Sequence, residues 1–323
     1  MGGRLATDLL EISDDLAALD RGGFWAVSTT FEGGVVAAKF RSVVDAPFPV
    51  QANSWRKLSG QWASSLSQSE YVAAVKKIQE KIAQGWVYQV NACRVLENSC
   101  DQDLAPLFAA LVKENPAPYA SFLSLPGLQI ASASPELFLR RDGVHLVSSP
   151  IKGTQRLDVA AEFSEKDRAE NVMIVDLIRN DLSRICKAGS VDVPRLLARE
   201  EHPGLAHLVS DVSGELITGT SWAEIGAAIL PPGSVSGAPK SAALATISEL
   251  ERARGPYCGA LGWVEDKQAI LSVAIRTFWR HDDEKIFFGT GAGITWASDP
   301  EAEWEETQLK ARKLIAIAGG EIE

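Results

Sequence analysis

The stretch of sequence that decides the fold is residues 131–156, which read ASASPELFLRRDGVHLVSSPIKGTQR. Its centre holds two short apolar runs on either side of the turn sequence Asp142-Gly143. The runs are residues 137–139 and 144–147. Apolar runs that flank an Asp-Gly turn are typical of a β-hairpin, so we predict one here.

The two shoulders of this hairpin carry an acid and an amine, Glu136 and Lys152. Antiparallel strands bring their shoulders together, so we expect both side chains at one end of a sheet. The glycine that follows Lys152 allows another backbone or a ligand to approach closely. An isolated lysine of this kind is more often a surface residue at a strand end. Whether Lys152 is functional therefore has to be judged from the rest of the chain.

Composition narrows the class of protein. The chain has 323 residues, of which 46% are hydrophobic and 23% are charged, and these values predict one compact globular body. The net charge of −10 disfavours nucleic acid as a partner, because phosphate binding requires a basic face. Neither an apolar run of about 18 residues nor a basic-then-apolar leader is visible, so we expect a cytoplasmic protein without a membrane span. The four cysteines lack C-x-x-C spacing and are expected to be free thiols.

Periodicity and turn signals divide the chain into a short N-terminal region, 1–68, that contributes strands and a catalytic domain, 69–323. The polar segment 50–68 is predicted to be a connection. Helices are predicted at 69–85, 105–114, 164–182, 221–230, 241–251 and from residue 300 onward. Further strands are predicted at 87–95, 120–125, 128–132, 259–264, 269–278 and 285–289.

Two of the predicted helices each carry a pair of carboxylates on one face. Asp167 and Glu170 are three residues apart, as are Glu303 and Glu306, and Lys310 lies one turn beyond Glu306. Such pairs are more often solvated than functional. Two pairs on separate helices nevertheless suggest one site for a hard cation, and Mg²⁺ prefers a few carboxylates plus waters. No cluster of His or Cys in the sequence competes for this role.

Glycine-rich segments offer a second kind of candidate. The Gly/Ser loop 233–240 leads into a predicted helix, an arrangement in which backbone N–H groups can receive an anion. Loops of this composition are weak evidence alone. The glycines of 289–293 do not form a dinucleotide-binding fingerprint, because no strand-turn-helix with the required spacing follows.

Taken in order along the chain, these motifs resemble those of the chorismate-utilising enzymes, which include anthranilate, aminodeoxychorismate, isochorismate and salicylate synthases. The resemblance rests on residues 134–136, 150–154, 168–171, 176–181, 237–240, 255–259, 274–277, 291–293 and 303–310. It covers most of the chain beyond residue 69. It implies an α+β fold in which two large, mostly antiparallel β-sheets pack as a sandwich with helices outside.

Two positions favour one branch of this family. The aminodeoxychorismate synthases resemble one another in a lysine before the Gly-Thr of the hairpin motif, where anthranilate synthases have alanine; here the residue is Lys152. Family members that add water to chorismate, instead of ammonia, resemble one another in a lysine at the position where this chain has Gln89. The resemblance therefore implies amination of chorismate at C4, in the route to 4-aminobenzoate and folate. Anthranilate synthesis, 2-amino-2-deoxyisochorismate synthesis and a non-catalytic chorismate-binding role remain alternatives.

The resemblance also implies roles for individual residues. Lys152 would attack C2 of chorismate, Glu136 would protonate the leaving C4 hydroxyl, and ammonia would then displace the lysine. His207 matches a substrate-proximal histidine, and a buried structural histidine is the alternative. Substrate binding is implied for Gln89, Ser236, Gly237, Tyr257, Arg276, Gly291, Ala292, Gly293 and Lys310. The implied cofactor is Mg²⁺, with Glu170 and Glu306 as ligands and with Asp167 and Glu303 supporting its waters.

Ammonia is scarce as the free base at neutral pH, and family members resemble one another in taking it from a glutamine amidotransferase subunit. The sequence shows no evident cysteine nucleophile with a paired histidine. We therefore expect that subunit to be a separate partner chain. Family members commonly carry a longer N-terminal region than residues 1–68, so a tryptophan-regulated site is not expected here.

Overall fold

The computed structural model describes residues 1–156, 162–202 and 205–322. This part of the chain forms eighteen strands and six α-helices, together with short 3-10 turns. The strands are β1 (Arg4–Ser13), β2 (Phe24–Thr29), β3 (Val35–Asp45), β4 (Leu58–Ser64), β5 (Gln89–Ser99), β6 (Ser121–Leu125), β7 (Leu128–Ser132), β8 (Leu137–Asp142), β9 (His145–Ser149), β10 (Ile151–Arg156), β11 (Asp192–His202), β12 (Leu205–Glu215), β13 (Gly237–Ala238), β14 (Ala260–Glu265), β15 (Gln268–Val273), β16 (Thr277–Arg280), β17 (Lys285–Ile294) and β18 (Gly319–Ile322). The helices are α1 (Gln68–Ala83), α2 (Ala105–Glu114), α3 (Glu165–Ser183), α4 (Trp222–Ile229), α5 (Lys240–Leu250) and α6 (Pro300–Ala318).

The larger sheet has ten strands in the order β1-β3-β2-β14-β15-β8-β9-β12-β10, with β11 paired to β12. The predicted hairpin is confirmed as β8 and β9, which pair antiparallel with Leu137 opposite Ser149 and Asp142 opposite His145. Strands β11 and β12 form a long antiparallel pair between α3 and α4 that the sequence patterns above do not indicate. Strand β10 pairs with β12, so two strands, β9 and β12, lie between β8 and the strand that carries Lys152.

The smaller sheet has eight strands in the order β18-β4-β5-β17-β16-β7-β6, with β13 paired to β5. Its pairings are antiparallel except for β18 with β4. Helices α2 and α6 pack on this sheet and share a hydrophobic cluster with it that includes Leu107, Leu314 and Phe278.

The main hydrophobic core contains buried side chains of both sheets. Trp25 of β2 and Leu139 of β8 come from the larger sheet, while Val90 of β5 and Ala292 of β17 come from the smaller one. Burying one large aliphatic side chain contributes roughly 1.5–3 kcal/mol, so a core of this extent binds the sheets together. The predicted α+β fold with two large, mostly antiparallel sheets and helices is confirmed. In the described residues no helix is long and apolar enough to cross a membrane.

The segment 50–68 is not the plain connection that its polarity predicts. Strand β4 lies within it, and Trp62 of that strand is buried, with its indole N–H donating to the carbonyl of Gly319 at 2.9 Å. The other residues of the strand are exposed or only partly buried, and most of them are small or polar, which hides the single buried position. Helix α1 begins earlier than predicted, because Ser67, rather than Ser69, forms the reciprocal capping box with Glu70.

The predicted strand 269–278 is in fact two strands in different sheets. Strand β15 belongs to the larger sheet and β16 to the smaller one, and the chain crosses between them at 274–276. Arg276 at this crossover has a φ of 52°. The stretch 269–278 is mostly apolar and contains no Gly or Pro, so its pattern does not tell one buried strand from two. The crossover places Arg276 where the two sheets approach each other.

Candidate active site

The hairpin shoulder that carries Glu136 is fixed by a serine. The Ser134 hydroxyl accepts a hydrogen bond from the Glu136 N–H at 3.2 Å and donates one to the carbonyl of Val273 at 2.6 Å. Both Ser134 and Glu136 are buried. The short turn therefore attaches the start of β8 to β15 and fixes the direction in which Glu136 enters the interior.

Lys152 lies beside this carboxyl group. Its Nζ donates a hydrogen bond to the carbonyl of Ser234 at 2.9 Å, and its charge interacts with Glu170 and Glu136. Burial lowers the pKa of Lys152, and the charge of Lys310 lowers it further, while the two carboxylates oppose both effects. The net shift is downward, which increases the fraction of free amine at a given pH. The structure thus brings Glu136 and Lys152 together, as the hairpin predicts.

Glu136 is shifted in the opposite sense. Its side chain is 4% exposed, and burial raises the pKa of its carboxyl group. Hydrogen bonding from the Ser234 side chain and the Ile151 backbone, and the charges of Lys152 and Arg276, oppose the rise without cancelling it. A carboxyl group that keeps its proton to higher pH is suited to donate it.

Gly153 lets β10 approach α3. Its φ is +77°, and a Cβ atom there would lie 3.0 Å from the Cβ and Cγ of Asp167 and 3.0 Å from the ring of Phe163. Glycine is required for both the backbone conformation and the space. This contact brings the strand that carries Lys152 against the helix that carries Glu170.

Gln89 and the glycines of β17 lie on the other side of the site. A Cβ atom at Gly293 would lie 2.3 Å from Gln89 Nε2 and 3.8 Å from Glu170 Oε2. Gln89 Oε1 is buried and has no hydrogen-bond partner within the described part of the chain. The carbonyl of Gly291 accepts a hydrogen bond from Lys310 Nζ at 3.0 Å, and Ala292 is fully buried between the two glycines. Gly293 therefore borders the same space as Gln89 and Glu170, and Gly291 lies beside Lys310.

The Gly/Ser loop is attached to β5 next to Gln89. The Asn91 N–H donates to the carbonyl of Ser236 at 2.9 Å, and Gly237 pairs with Val90. Gly237 has a φ of +139°, and a Cβ atom there would lie 2.2 Å from the carbonyl oxygen of Gln89. No larger residue fits this approach.

Arg276 and Tyr257 come from the crossover and from the segment before β14. Burial lowers the pKa of the Arg276 guanidinium, and the charge of Glu136 opposes that shift, so the two groups are close enough to interact. Tyr257 is buried with its ring against Gly289, where a Cβ atom would lie 2.0 Å from the ring, and burial raises the pKa of its hydroxyl well above the usual value. His207 is also buried, in β12, with Thr154 and Glu200 opposite it in the neighbouring strands.

The carboxylates of α3 and α6 face the same region. Burial raises the pKa of Glu170, and the charges of Lys152 and Lys166 oppose the rise. Burial also acts to raise the pKa of Glu306, but its ion pair with Lys310, at 2.7 Å, outweighs burial and lowers it.

Glu303 is the most buried of these acids at 4% exposure. Its Oε1 accepts a hydrogen bond from the Ser298 hydroxyl at 2.6 Å and lies 3.4 Å from Lys166 Nζ. Its Oε2 is buried without a partner in residues 1–156, 162–202 and 205–322. Unpartnered carboxylate oxygen is the donor type that Mg²⁺ prefers, so the chemistry of these side chains fits a hard cation.

Asp167 stands apart from the other acids. Its Oδ2 accepts hydrogen bonds from the Ser164 N–H at 3.3 Å and from the Ser164 hydroxyl at 2.7 Å, which caps the start of α3. This carboxylate already has donors, so it is the least available of the predicted metal-site residues. Across the described ranges no three His, Cys, Asp or Glu side chains converge into a ready-made metal site, and the Mg²⁺ assignment stays a prediction.

Two residues at the site were not among the predicted ones. Ser234 contacts both Lys152 and Glu136, and its position in the Gly/Ser loop was the available signal. Lys166 contacts Glu303 across two helices, and its sequence context, in the charged first turn of a helix, gives no sign of that contact.

Comparison with known proteins places this arrangement in context. The chorismate binding enzyme family matches residues 37–316. An anthranilate synthase component 1 of Haloarcula marismortui is 37% identical over 278 residues, which are 82% of this chain and 55% of that protein. Aminodeoxychorismate synthase component 1 of Escherichia coli is 36% identical over 270 residues, which are 80% of this chain and 59% of that protein. The chain thus spans a little over half the length of these relatives.

The fold has a close counterpart among solved structures. The crystal structure of anthranilate synthase component I from Streptococcus pneumoniae superposes with a TM-score of 0.85 at 22% sequence identity. The superposition covers 97% of this chain and 91% of that one. At this level of identity the likeness concerns the fold alone.

Proposed function

Since the chain belongs to the chorismate binding enzyme family, we propose that it aminates chorismate to 4-amino-4-deoxychorismate, as an aminodeoxychorismate synthase component 1. The observation that carries this proposal is Lys152, an amine with a lowered pKa beside the carboxyl groups of Glu136 and Glu170. A lysine whose pKa is lowered by desolvation is an activated nucleophile.

In the first step, Lys152 Nζ forms a bond to C2 of the ring while the bond between C4 and its hydroxyl breaks. The ring double bonds shift between these positions. Glu136 gives its proton to the departing hydroxyl, which leaves as water. Hydroxide is a poor leaving group, and general-acid help of this kind contributes about 10²- to 10⁴-fold.

In the second step, ammonia forms a bond to C4 and the bond between C2 and Lys152 breaks. The electron pair of that bond returns to Lys152, which becomes a neutral amine again. The ammonium formed at C4 gives one proton to Glu136. One chorismate and one ammonia thus yield one product and one water, and both side chains are restored.

The remaining residues would hold the substrate. The fork of Arg276 matches a carboxylate bidentately, and Lys310 beside Gly291 supplies a second cation. Gln89 and Gly293 would border the ring, since they lie against each other next to Glu170. Arg276 and Lys310 would therefore fix the carboxylates of chorismate while Lys152 reaches C2.

Glu170, Glu306 and Glu303 are the residues that would hold Mg²⁺, and the unpartnered Oε2 of Glu303 supports this assignment. When bound, the ion would neutralise a substrate carboxylate and draw electron density from the ring. The ammonia would come from a glutamine amidotransferase subunit. The word "component" in the names of the relatives supports a second chain.

The first experiment identifies the product. Purified protein is incubated with chorismate, ammonium salt and Mg²⁺, with and without an added 4-amino-4-deoxychorismate lyase. We expect 4-aminobenzoate only when the lyase is present. Relatives of similar identity are named anthranilate synthases, so anthranilate is the competing product; it fluoresces directly, and its detection would overturn the proposal.

The second experiment tests the covalent route. Without ammonia, the intact protein incubated with chorismate should gain the mass of one chorismate less one water, and peptide mapping should place the gain on Lys152. Lys152→Ala should show no adduct and no amination, whereas Lys77→Ala, at an exposed position on α1, should behave as the wild type. An adduct-free wild type, or an active Lys152→Ala, would contradict the route.

A further inference from the structure

Lys166 lies among the carboxylates that would hold the cation. It occupies the first turn of α3, and its Nζ is 3.4 Å from Glu303 Oε1. Burial acts to lower the pKa of Lys166, but the charges of Glu303, Glu170 and Glu306 outweigh it and raise the pKa. The ammonium group is therefore close enough to interact with all three carboxylates.

The buried oxygen of Glu303 shows that this contact leaves the acid incompletely satisfied. The Glu303 side chain is buried, and its Oε2 has no donor in the described part of the protein. A buried carboxylate oxygen without a donor is unfavourable. Lys166 thus neutralises the cluster only in part, and a ligand with more positive charge would satisfy these carboxylates more completely.

The three lysines near these acids differ in how firmly they are held. Lys152 donates to the carbonyl of Ser234, and Lys310 donates to the carbonyl of Gly291 as well as pairing with Glu306. Lys166 is held by one longer contact, 3.4 Å from Glu303, and its side chain is about as exposed as that of Lys310, at 48% against 51%. Of the three, Lys166 can move into solvent with the smallest loss of contacts.

We propose that the ammonium group of Lys166 is a tethered counter-ion that occupies the cation position between α3 and α6 and gives way when Mg²⁺ binds. This inference rests on the proposed function, because it takes Mg²⁺ to be the ion that enters. Lys166 is a positioning residue here and takes no part in the reaction itself. It keeps the acids of the two helices together while the site holds no metal.

The test compares Lys166→Met with two matched variants in the full chain without chorismate. Lys166→Arg keeps the charge, and Arg168→Met removes a charge from an exposed position on the same helix. Calorimetric titration gives the dissociation constant for Mg²⁺, and thermal unfolding is followed with and without Mg²⁺.

We expect Lys166→Met to bind Mg²⁺ roughly five- to tenfold more tightly, because no tethered cation has to leave. Its unfolding temperature without Mg²⁺ should fall, and saturating Mg²⁺ should raise it by more than in the wild type. Lys166→Arg and Arg168→Met should both stay close to the wild type.

Two results would overturn the inference, and they differ in what else they affect. Unchanged or weaker Mg²⁺ binding by Lys166→Met, with normal binding by the wild type, would remove the role of Lys166 and leave the proposed function standing. Absence of Mg²⁺ binding in every protein would remove both the metal assignment and the exchange. The product assay is independent of Lys166 and decides the reaction separately.

Discussion

The site has two regions that differ in how their polar groups are satisfied. The amine region consists of Lys152, Glu136 and Ser234, and it is joined by hydrogen bonds and anchored to strands through Ser134. The acidic region consists of Glu170, Glu303 and Glu306 with Lys166, and it is built from two helices. In this region the buried Oε2 of Glu303 lacks a donor within the described residues, and the side chain of Lys166 is half-exposed.

The difference suggests a division of labour. Groups that make and break bonds must keep their geometry, and paired strands hold them in place: β8, next to Glu136, pairs with β15 and β9, and β10, which carries Lys152, pairs with β12. Groups that bind an exchangeable ion must accommodate a change of partner, and helices facing each other across a gap allow that change. The first region is therefore expected to respond to substitution in rate, and the second in metal affinity.

The largest effect should come from the amine region. Glu136→Gln keeps the shape of the side chain but removes the proton that the leaving hydroxyl requires, so kcat should fall about 10²- to 10⁴-fold. Mg²⁺ affinity measured by calorimetry should stay within error of the wild type. Glu301→Gln makes the same chemical change at an exposed position and serves as the control. A Glu136→Gln enzyme with normal kcat would remove the carboxyl group from the mechanism.

The acidic region should show the converse. Glu303→Gln removes the negative charge that faces Lys166, so Mg²⁺ should bind about 10- to 100-fold more weakly. At saturating Mg²⁺ the value of kcat should change little. Glu305→Gln alters an exposed acid on the same helix and should leave both quantities unchanged. If kcat at saturating Mg²⁺ fell as far as in Glu136→Gln, the division between the regions would not hold.

The pH dependence sharpens the comparison within the amine region. The proposed reaction requires the pair of Glu136 and Lys152 to carry one proton, on Glu136, with Lys152 neutral. At low pH the pair gains a second proton, which blocks Lys152. At high pH the pair loses its last proton, so no acid remains. The rate of adduct formation plotted against pH should therefore be bell-shaped. Because the two groups titrate as a pair, the lower of the two apparent pKa values sets the acid limb and the higher one sets the alkaline limb. Burial raises the pKa of Glu136, which shifts the acid limb to higher pH. Burial lowers the pKa of Lys152, which shifts the alkaline limb to lower pH.

Adduct formation measured by quenched-flow mass spectrometry without ammonia gives this profile free of the titration of ammonia itself. An alkaline limb at or above about 10.4, the ordinary lysine value, would show that Lys152 is not perturbed during reaction. Glu136→Gln should lose the alkaline limb, because it has no acid left to deprotonate, and its slower rate should only rise with pH as Lys152 loses its proton.

Much of the amine region could be predicted from the sequence because its signals are local. The turn Asp142-Gly143 between apolar runs fixes the hairpin, and the hairpin determines that Glu136 and the strand carrying Lys152 come together. The helices of the acidic region were also predictable from their caps and periodicity, as Ser164 and Pro300 illustrate.

Contacts between elements distant in the sequence were not predictable in this way. The pairing of Lys166 with Glu303 spans 137 residues and depends on how α3 and α6 approach each other. The break at Arg276 is hidden because both flanking strands are buried and apolar. The assignment of roles came from motifs in a fixed order, which identify a family without giving the distances between its residues.

The contact between the two regions gives the smallest and most specific test. Gly153 and Gly143 both have positive φ, but a Cβ at Gly153 meets Asp167 and Phe163 at 3.0 Å, whereas a Cβ at Gly143 meets nothing within 4 Å. Gly143→Ala should therefore show only the backbone cost, about 1–2 kcal/mol of unfolding free energy.

Gly153→Ala should lose a further amount of roughly 1–3 kcal/mol, because β10 and α3 must separate. Denaturant unfolding of both variants isolates that difference. Displacing Lys152 from Glu170 should also reduce the rate of adduct formation by roughly tenfold in Gly153→Ala, while Gly143→Ala keeps the wild-type rate. Equal stability and equal rates in the two variants would mean that β10 can move without disturbing the helix. In that case the two regions would be independent, and the close approach at Gly153 would not set the position of the amine.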